Sequence, residues 1–433
     1  MKNNYDGISV IIPMYGDLKI NTKSVFSAAT QCLGKLNEAH PRVEIIIMAD
    51  DIEYQKEHNG KSEFDYFLSK EFRQLYDTDN VDIKVIHNLE KFGGHIYQGG
   101  GRLFGMEIAK YSFCILFDSD DILAPLTVRM YWDIIQKELV NKNTKKNIYK
   151  IGGSFISFDS NGYYNEINKS IWVQEYCYNS DFFSKFKLND DTIYTNKVNR
   201  KQGEDYLMCQ IADYTYEHNM DKWIAINIDD IGIGYWIPNY DSLSRRDPYY
   251  SQHLSGSTMN SSNTILDYME YYNKKHKIVD KEDEIFKHRV LNMTIYGYFN
   301  LFDFLKTVGI GKYSDNPYIP LEEDWKLLVH NVAKLRMRLL KYYDEIQYSD
   351  VISQLYEVQH MSDCRCCNVW VGSFFDFMDG KDNMMKILNM DYNAMMDYCK
   401  ELEFDNGAVN EIHSKQYIAF MNRKQGLSLY YGE

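Results

Sequence analysis

A repeated alternation in the first third of the chain does most to limit what it can fold into. Ile8 to Pro13, Val43 to Met48 and Val81 to Ile86 are short runs rich in β-branched residues, and each gives way to a polar or glycine-containing turn. Segments with apolar residues at helical spacing follow: Leu18 to Leu36, with Val25, Ala28, Ala29, Cys32 and Leu36 on one face, and Phe64 to Leu75, through Phe67, Leu68 and Phe72. This order is that of β-α units, which assemble into a mostly parallel sheet with helices packed against it. A fourth apolar run, Phe113 to Phe117, ends in Asp118-Ser119-Asp120-Asp121 and leads into a helical pattern over Pro125 to Val140. The expected class is α/β.

Such sheets bind ligands outside the carboxyl ends of their strands. Asp50, Asp51, Asp118 and Asp120 are therefore expected to converge on one rim. Mg2+ and Mn2+ prefer hard oxygen donors, keep several waters, and are shared between one or two carboxylates and substrate phosphates. Asp-x-Asp by itself is also common turn chemistry, because aspartates bond their own backbone. The ordered strands upstream favour the metal reading, with Asp118 and Asp120 as ligands.

Further along, the polar run Asn141 to Asn147 reads as a surface loop. Ile151 to Phe158 and Tyr163 to Ile167 flank Asn161-Gly162, a hairpin signal because both positions tolerate positive φ. Trp223 to Ile228 and Gly234 to Ile237 read as two further short strands. Beyond about Ser255 the texture becomes helical, at Ile285 to Phe304, Trp325 to Tyr343 and Val351 to Val358, with Val308 to Pro320 as a connecting loop. A chain of 433 residues exceeds what one core usually serves. Two domains are expected: 1–255, in halves over about 1–125 and about 126–255, and a helical domain or extension over 256–433.

A formal net charge of -14 argues against a broad electrostatic grip on nucleic acid or anionic membrane. No apolar run approaches the length that spans a bilayer, and the N-terminus lacks the blocks of a signal peptide, so a soluble, cytoplasmic protein is expected. The eight cysteines read as reduced thiols. His360 with Cys364, Cys366 and Cys367 suggests a zinc knuckle only weakly, since Cys399 and His413 downstream do not match its spacing. Packing cysteines are the preferred reading, and the methionines from Met378 to Met396 read as core filling. Richness in Tyr, Asn and Lys suggests an AT-rich bacterial or phage genome.

The segments Ile8 to Tyr15, Glu44 to Asp51, Gly101 to Ala109 and Ile115 to Leu123, in that order, resemble the family 2 glycosyltransferases of the GT-A fold. Gly203-Glu204-Asp205-Tyr206 resembles the Glu-Asp element that these enzymes carry before a helix. The resemblance spans about residues 7 to 246. It implies a GT-A fold, a Rossmann-like mixed sheet flanked by helices, with a nucleotide-sugar half over about 1–125 and an acceptor half over about 126–255, followed here by the mainly α-helical C-terminal domain.

The resemblance also implies roles. Asp50 bonds the donor's nucleobase, with Asp51 as a fallback because Ala49 stands where the family often has another Asp; Pro13 and Tyr15 line the nucleotide. Asp118 lies by the donor's ribose or phosphate beside Ser119, and Asp120 holds the Mn2+ or Mg2+ that bridges the diphosphate. Asp205 is the general base that deprotonates the acceptor hydroxyl, and Glu204 orients the acceptor or the base; alternatively the two acidic residues simply open a helix running to Tyr216. Arg102 matches a basic position of the family and faces the diphosphate, with a surface ion pair as its ordinary alternative. Asp121 is expected to cap the next helix. Gly93-Gly94 and Gly99 to Gly101 either let backbone approach a ligand closely or form a flexible loop.

The segment Tyr235 to Arg246 resembles the end of the GT-A core, but Pro238, Asn239 and Tyr240 stand where relatives place a metal-binding histidine. His253 lies downstream, and Arg245 is a candidate to neutralise the leaving diphosphate. The implied activity is metal-dependent, inverting transfer of a sugar from a nucleoside diphosphate donor, a UDP-sugar above all, to a hydroxyl acceptor such as a saccharide. Two alternatives stay open: a phage DNA glycosyltransferase acting on hydroxymethylated bases, which the acidic charge disfavours, and a non-catalytic binding or scaffold protein on a GT-A frame.

Overall fold

A computed structural model describes residues 4–15, 18–34, 39–140, 146–158, 164–169, 176–186, 204–236, 257–294, 297, 322–343 and 393–394. The chain divides into two compact units, Met1–Asn239 and Tyr240–Glu433.

The first unit is built on one mixed sheet. Its strands are β1 (Gly7–Tyr15), β2 (Arg42–Asp50), β3 (Val81–His87), β4 (Phe113–Leu116), β5 (Ile122–Leu123), β6 (Asn147–Phe158), β7 (Tyr164–Lys169), β8 (Tyr176–Asn179) and β9 (Trp223–Trp236). Across the sheet the order is β3-β2-β1-β4-β8-β6-β9-β5, with β7 paired to β6. The first four strands run parallel, β8 runs antiparallel to both of its neighbours, and β6 and β9 are parallel to each other. This is the mixed α/β sheet expected from the sequence.

The helices of this unit are α1 (Leu18–Ala29), α2 (Ile52–Glu57), α3 (Lys70–Arg73), α4 (Asn88–Phe92), α5 (Tyr97–Ile108), α6 (Thr127–Val140), α7 (Ser180–Phe186) and α8 (Glu204–Glu217). Alternate residues of the central strands serve two faces, as strand geometry requires. Ile8, Val10, Ile12 and Met14 of β1, with Val43, Ile45 and Ile47 of β2, join a core that includes Val25 and Ala28 of α1 and Val128, Tyr131 and Ile135 of α6. On the opposite face α5 lies close to the sheet: a Cβ at Gly105 would meet Ile11 Cγ2 at 2.4 Å, and one at Gly101 would meet Met48 Cβ at 3.3 Å and Pro13 Cβ at 3.5 Å. The glycine run Gly99 to Gly101 is therefore helical rather than a loop, and at Gly101 and Gly105 the close approach is to the sheet. Gly93, with φ of 67°, ends α4 in the left-handed region.

Several local expectations change. α1 stops at Ala29 instead of running to Leu36, because Gln31 turns its amide to Ala124 O and the N–H of Val128, and the N–H of Cys32 donates to Pro125 O. Phe64 to Leu75 is a 3₁₀ turn over Glu63–Leu68 followed by α3, split where Ser69 adopts extended backbone and caps the N–H of Phe72. Trp223 to Trp236 forms one strand, with register shifts opposite Gly152 to Ser154. Asn147 belongs to β6 rather than to a loop. β6 and β7 do form an antiparallel pair, while Asn161-Gly162 lies outside the described residues.

In the second unit the described residues are largely helical: α9 (Ser257–His276), a 3₁₀ turn (Asp280–Glu282), α10 over 284–294 and α11 (Glu322–Tyr342). Arg338 ties α11 to α9 by donating to Asn263 O at 3.0 Å and to Asp267. The patterns at Val308 to Pro320 and Val351 to Val358, His253 and the Cys364 to Cys367 cluster lie outside the described residues. No helix among the described residues is long and apolar enough to cross a membrane.

Candidate active site

Because β1, β2 and β4 are parallel, their carboxyl ends open on one edge, where the sequence concentrates its chemistry. Tyr15 and Asp50 are direct register partners at the ends of β1 and β2. Tyr15 is 60% exposed, unusual for a large aromatic at the end of a buried strand, whereas Pro13 is buried. The ladder continues past β4 through Phe117, whose N–H donates to Ile11 O at 2.9 Å, and the chain then turns through Asp118 to Asp121. Asp118, Ser119 and Asp120 are half-buried, and Asp121 is buried. Asp121 leads into β5 rather than into α6, so it does not cap that helix.

Arg102, on α5 and 2% exposed, donates through Nη2 to Asp118 Oδ1. The guanidinium thus reaches the acidic turn as an ion pair, shielded from water on the protein side. A second cation, Lys23 of α1, is held below the usual lysine value by burial, which the nearby Asp120 and Asp121 partly offset. Lys23 carries no signal in the sequence, because its closeness to the turn depends on how α1 packs.

Asp50 and Asp51, adjacent in sequence, have different work. Asp51 Oδ1 accepts from Gln55 Nε2 at 2.6 Å, while Oδ2 accepts from Ser62 Oγ at 2.7 Å and from the N–H of Glu63 at 3.0 Å. Both Asp51 oxygens are engaged in tying α2 to the following turn. Asp50 Oδ1 accepts from His95 Nδ1 at 2.5 Å, and Asn88 also bonds its carboxylate. Burial raises the Asp50 carboxyl above its ordinary range, with His95 and Asn88 opposing. His95 and Asn88 are residues to which sequence reasoning assigned no role.

Glu204 and Asp205 open α8. The backbone places them there; their side chains lie outside the described residues, as does all of Arg245. The helix behind them is firmly seated: Leu207, Met208, Ile211 and Ala212 are buried, and Asp213 accepts from Lys150 Nζ of β6 at 2.8 Å and from Tyr149 Oη at 3.2 Å.

The donor set suits a hydrated Mg2+ or Mn2+ only as an open site. Among the described residues no group of three His, Cys, Asp or Glu side chains could hold a metal, and one oxygen of Asp118 is taken by Arg102. Asp118 and Asp120 are the sparse carboxylate complement that such an ion accepts when substrate phosphates complete its shell. Of the described cysteines, Cys32, Cys114, Cys177 and Cys209, none is in a disulfide.

No family model matches the sequence, and no curated protein matches it. Among solved structures the chain is similar to S. aureus TarS residues 1–349 in complex with UDP, at 14% identity over 82% of this chain and 91% of that one, with a TM-score of 0.37. A longer TarS structure gives 15% identity, 82% and 55% coverage and a TM-score of 0.42, and TarS 1–349 alone gives 13%, 82%, 91% and 0.41. No residue takes a role from so distant a likeness.

Proposed function

We propose that the chain is a glycosyltransferase that moves a sugar from a nucleoside diphosphate donor, a UDP-sugar, to a hydroxyl acceptor such as a saccharide. The observation that carries this reading is the shared edge of β1, β2 and β4, where Tyr15, Asp50 and the Asp118 to Asp120 turn meet, with Arg102 set against Asp118. Exposed Tyr15 is the surface on which a base stacks or packs, and Asp50 accepts a base N–H. Asp118 serves the ribose or phosphate, its geometry fixed by the buried Arg102. Asp118 and Asp120 would hold Mn2+ or Mg2+, which when bound neutralises charge on the departing diphosphate.

Asp205, at the start of α8, is assigned the general base that takes the proton from the acceptor hydroxyl, and Glu204 orients it. A single displacement with one base and no protein nucleophile inverts the anomeric centre. Arg245 is assigned to the leaving diphosphate.

The test is manganese-dependent hydrolysis of UDP-sugars by the full chain. Asp120→Ala should lower the rate by about a hundredfold or more, the scale of losing charge stabilisation in the transition state. A chain that neither binds nor turns over any nucleotide sugar would refute the assignment.

A further inference from the structure

The nucleotide end of this edge contains more than one carboxylate. Asp50 is held from two directions, by His95 Nδ1 at 2.5 Å and by the Asn88 amide, and these three residues come from the end of β2, the start of α4 and the turn before α5. Asn88 is 2% exposed, and its Oδ1 is buried without a hydrogen-bond partner. Because the Asn88 amide nitrogen bonds a carboxylate, its flip is fixed, with nitrogen toward Asp50 and oxygen away. A carboxylate held in place at the strand end, with Tyr15 exposed beside it in register, is a surface that suits N–H groups on a flat ring. Uracil and guanine bring a ring N–H on the edge they present; adenine and cytosine present a ring nitrogen lone pair there, which the carboxylate repels.

Resting on the glycosyltransferase reading, we propose that His95 is a positioning residue for the donor's base: it fixes the Asp50 carboxylate as the acceptor of a ring N–H, so that the site takes uracil- or guanine-type nucleotides and rejects adenine- and cytosine-type ones. The groups acting on Asp50 are His95, the adjacent Asp51 and the Asn88 amide, and Tyr15 is its register partner on β1. Burial, with a smaller contribution from Asp51, raises the Asp50 carboxyl, and His95 and Asn88 draw it down. Without His95 the carboxyl therefore takes up its proton at higher pH, and the acceptor is lost earlier on acidification.

Calorimetric titration of the full chain with UDP, GDP, ADP and CDP plus Mn2+, over about pH 5 to 8, tests this. The unaltered chain should bind UDP or GDP at least about tenfold more tightly than ADP and CDP. His95→Ala should weaken binding about tenfold and move the acid limb of the affinity profile to higher pH. His95→Gln keeps an N–H donor without the charge; it should recover most of the affinity with the limb still displaced. If the alanine variant does not fold, the glutamine variant's limb decides. A uniform loss with the limb in place, no loss at all, or a preference for ADP or CDP would overturn the role of His95 while leaving donor binding intact. Failure of the unaltered chain to bind any of the four nucleotides would remove the glycosyltransferase reading with it.

Discussion

Glu44 shows how a single charged side chain can be spent on architecture. It lies in β2, fully buried, and accepts from Lys84 Nζ at 2.6 Å, Ser9 Oγ at 2.5 Å and the N–H of Lys110 at 2.7 Å. Lys110 follows α5 directly, so this carboxylate pins the end of the helix that carries Arg102. Glu44→Ala would leave a buried hydroxyl and N–H without their acceptor and should cost about 2 to 4 kcal/mol in urea unfolding. The hydrogen bond to Glu44 is the main reason that Lys84 lies above its ordinary value. The stability tied to Lys84 is thus complete below the unfolded lysine value and declines as pH rises through the higher folded one. In the alanine variant that alkaline decline should vanish, which unfolding curves on both sides of the transition would show.

Among elements, α5 has the most exacting contact with the sheet. Its glycines replace side chains that the spacing to β1 and β2 leaves no room for, at a cost in helix propensity that the packing offsets. Gly105→Ala, whose Cβ would press on Ile11 of the rigid central strand, should destabilise the chain by about 1 to 3 kcal/mol. Gly94, with nothing within 4 Å of a Cβ, should tolerate alanine with little change. Thermal melts of the two variants compare a constrained glycine with an unconstrained one. Because α5 also carries Arg102, the Gly105 variant should weaken nucleotide binding too, through displacement of the guanidinium from Asp118.

For the whole molecule the central electrostatic fact is a net charge of -14 in a chain proposed to bind a diphosphate. The long-range field opposes such a ligand, so attraction has to be local, and Arg102 and Lys23 bring cations to an edge otherwise rich in carboxylates. Added Mn2+ should then matter more than it would to a basic protein. A nucleotide that binds only the folded chain stabilises it by mass action, about 2.7 kcal/mol at a concentration a hundredfold above Kd. UDP with Mn2+ should therefore raise the melting temperature clearly, UDP alone much less, and Asp120→Ala should abolish the difference between the two. Equal shifts with and without the ion would argue against a cation at the acidic turn.

What the sequence determined by itself is the part carried by local periodicity: the first four strands, the acidic turn that ends the fourth, and the edge on which Tyr15, Asp50 and Asp118 meet. Parallel strands with alternating buried residues leave their carboxyl ends nowhere else to go. The sequence put Asp50 before Asp51 only through resemblance, since adjacent carboxylates look alike until Ser62 and Gln55 bind one and His95 the other. It missed β8, four residues buried on every position, because a strand inserted antiparallel between β4 and β6 has no alternation to display. It left Gly99 to Gly101 between a flexible loop and a close approach to a ligand, because the reason for the glycines of α5 lies in Ile11, Pro13 and Met48 of other elements. Tertiary structure decided these matters. Hydrogen bonds and close contacts between residues 45 or 16 positions apart, as in His95 with Asp50 and Arg102 with Asp118, exist only once the sheet has brought their segments together.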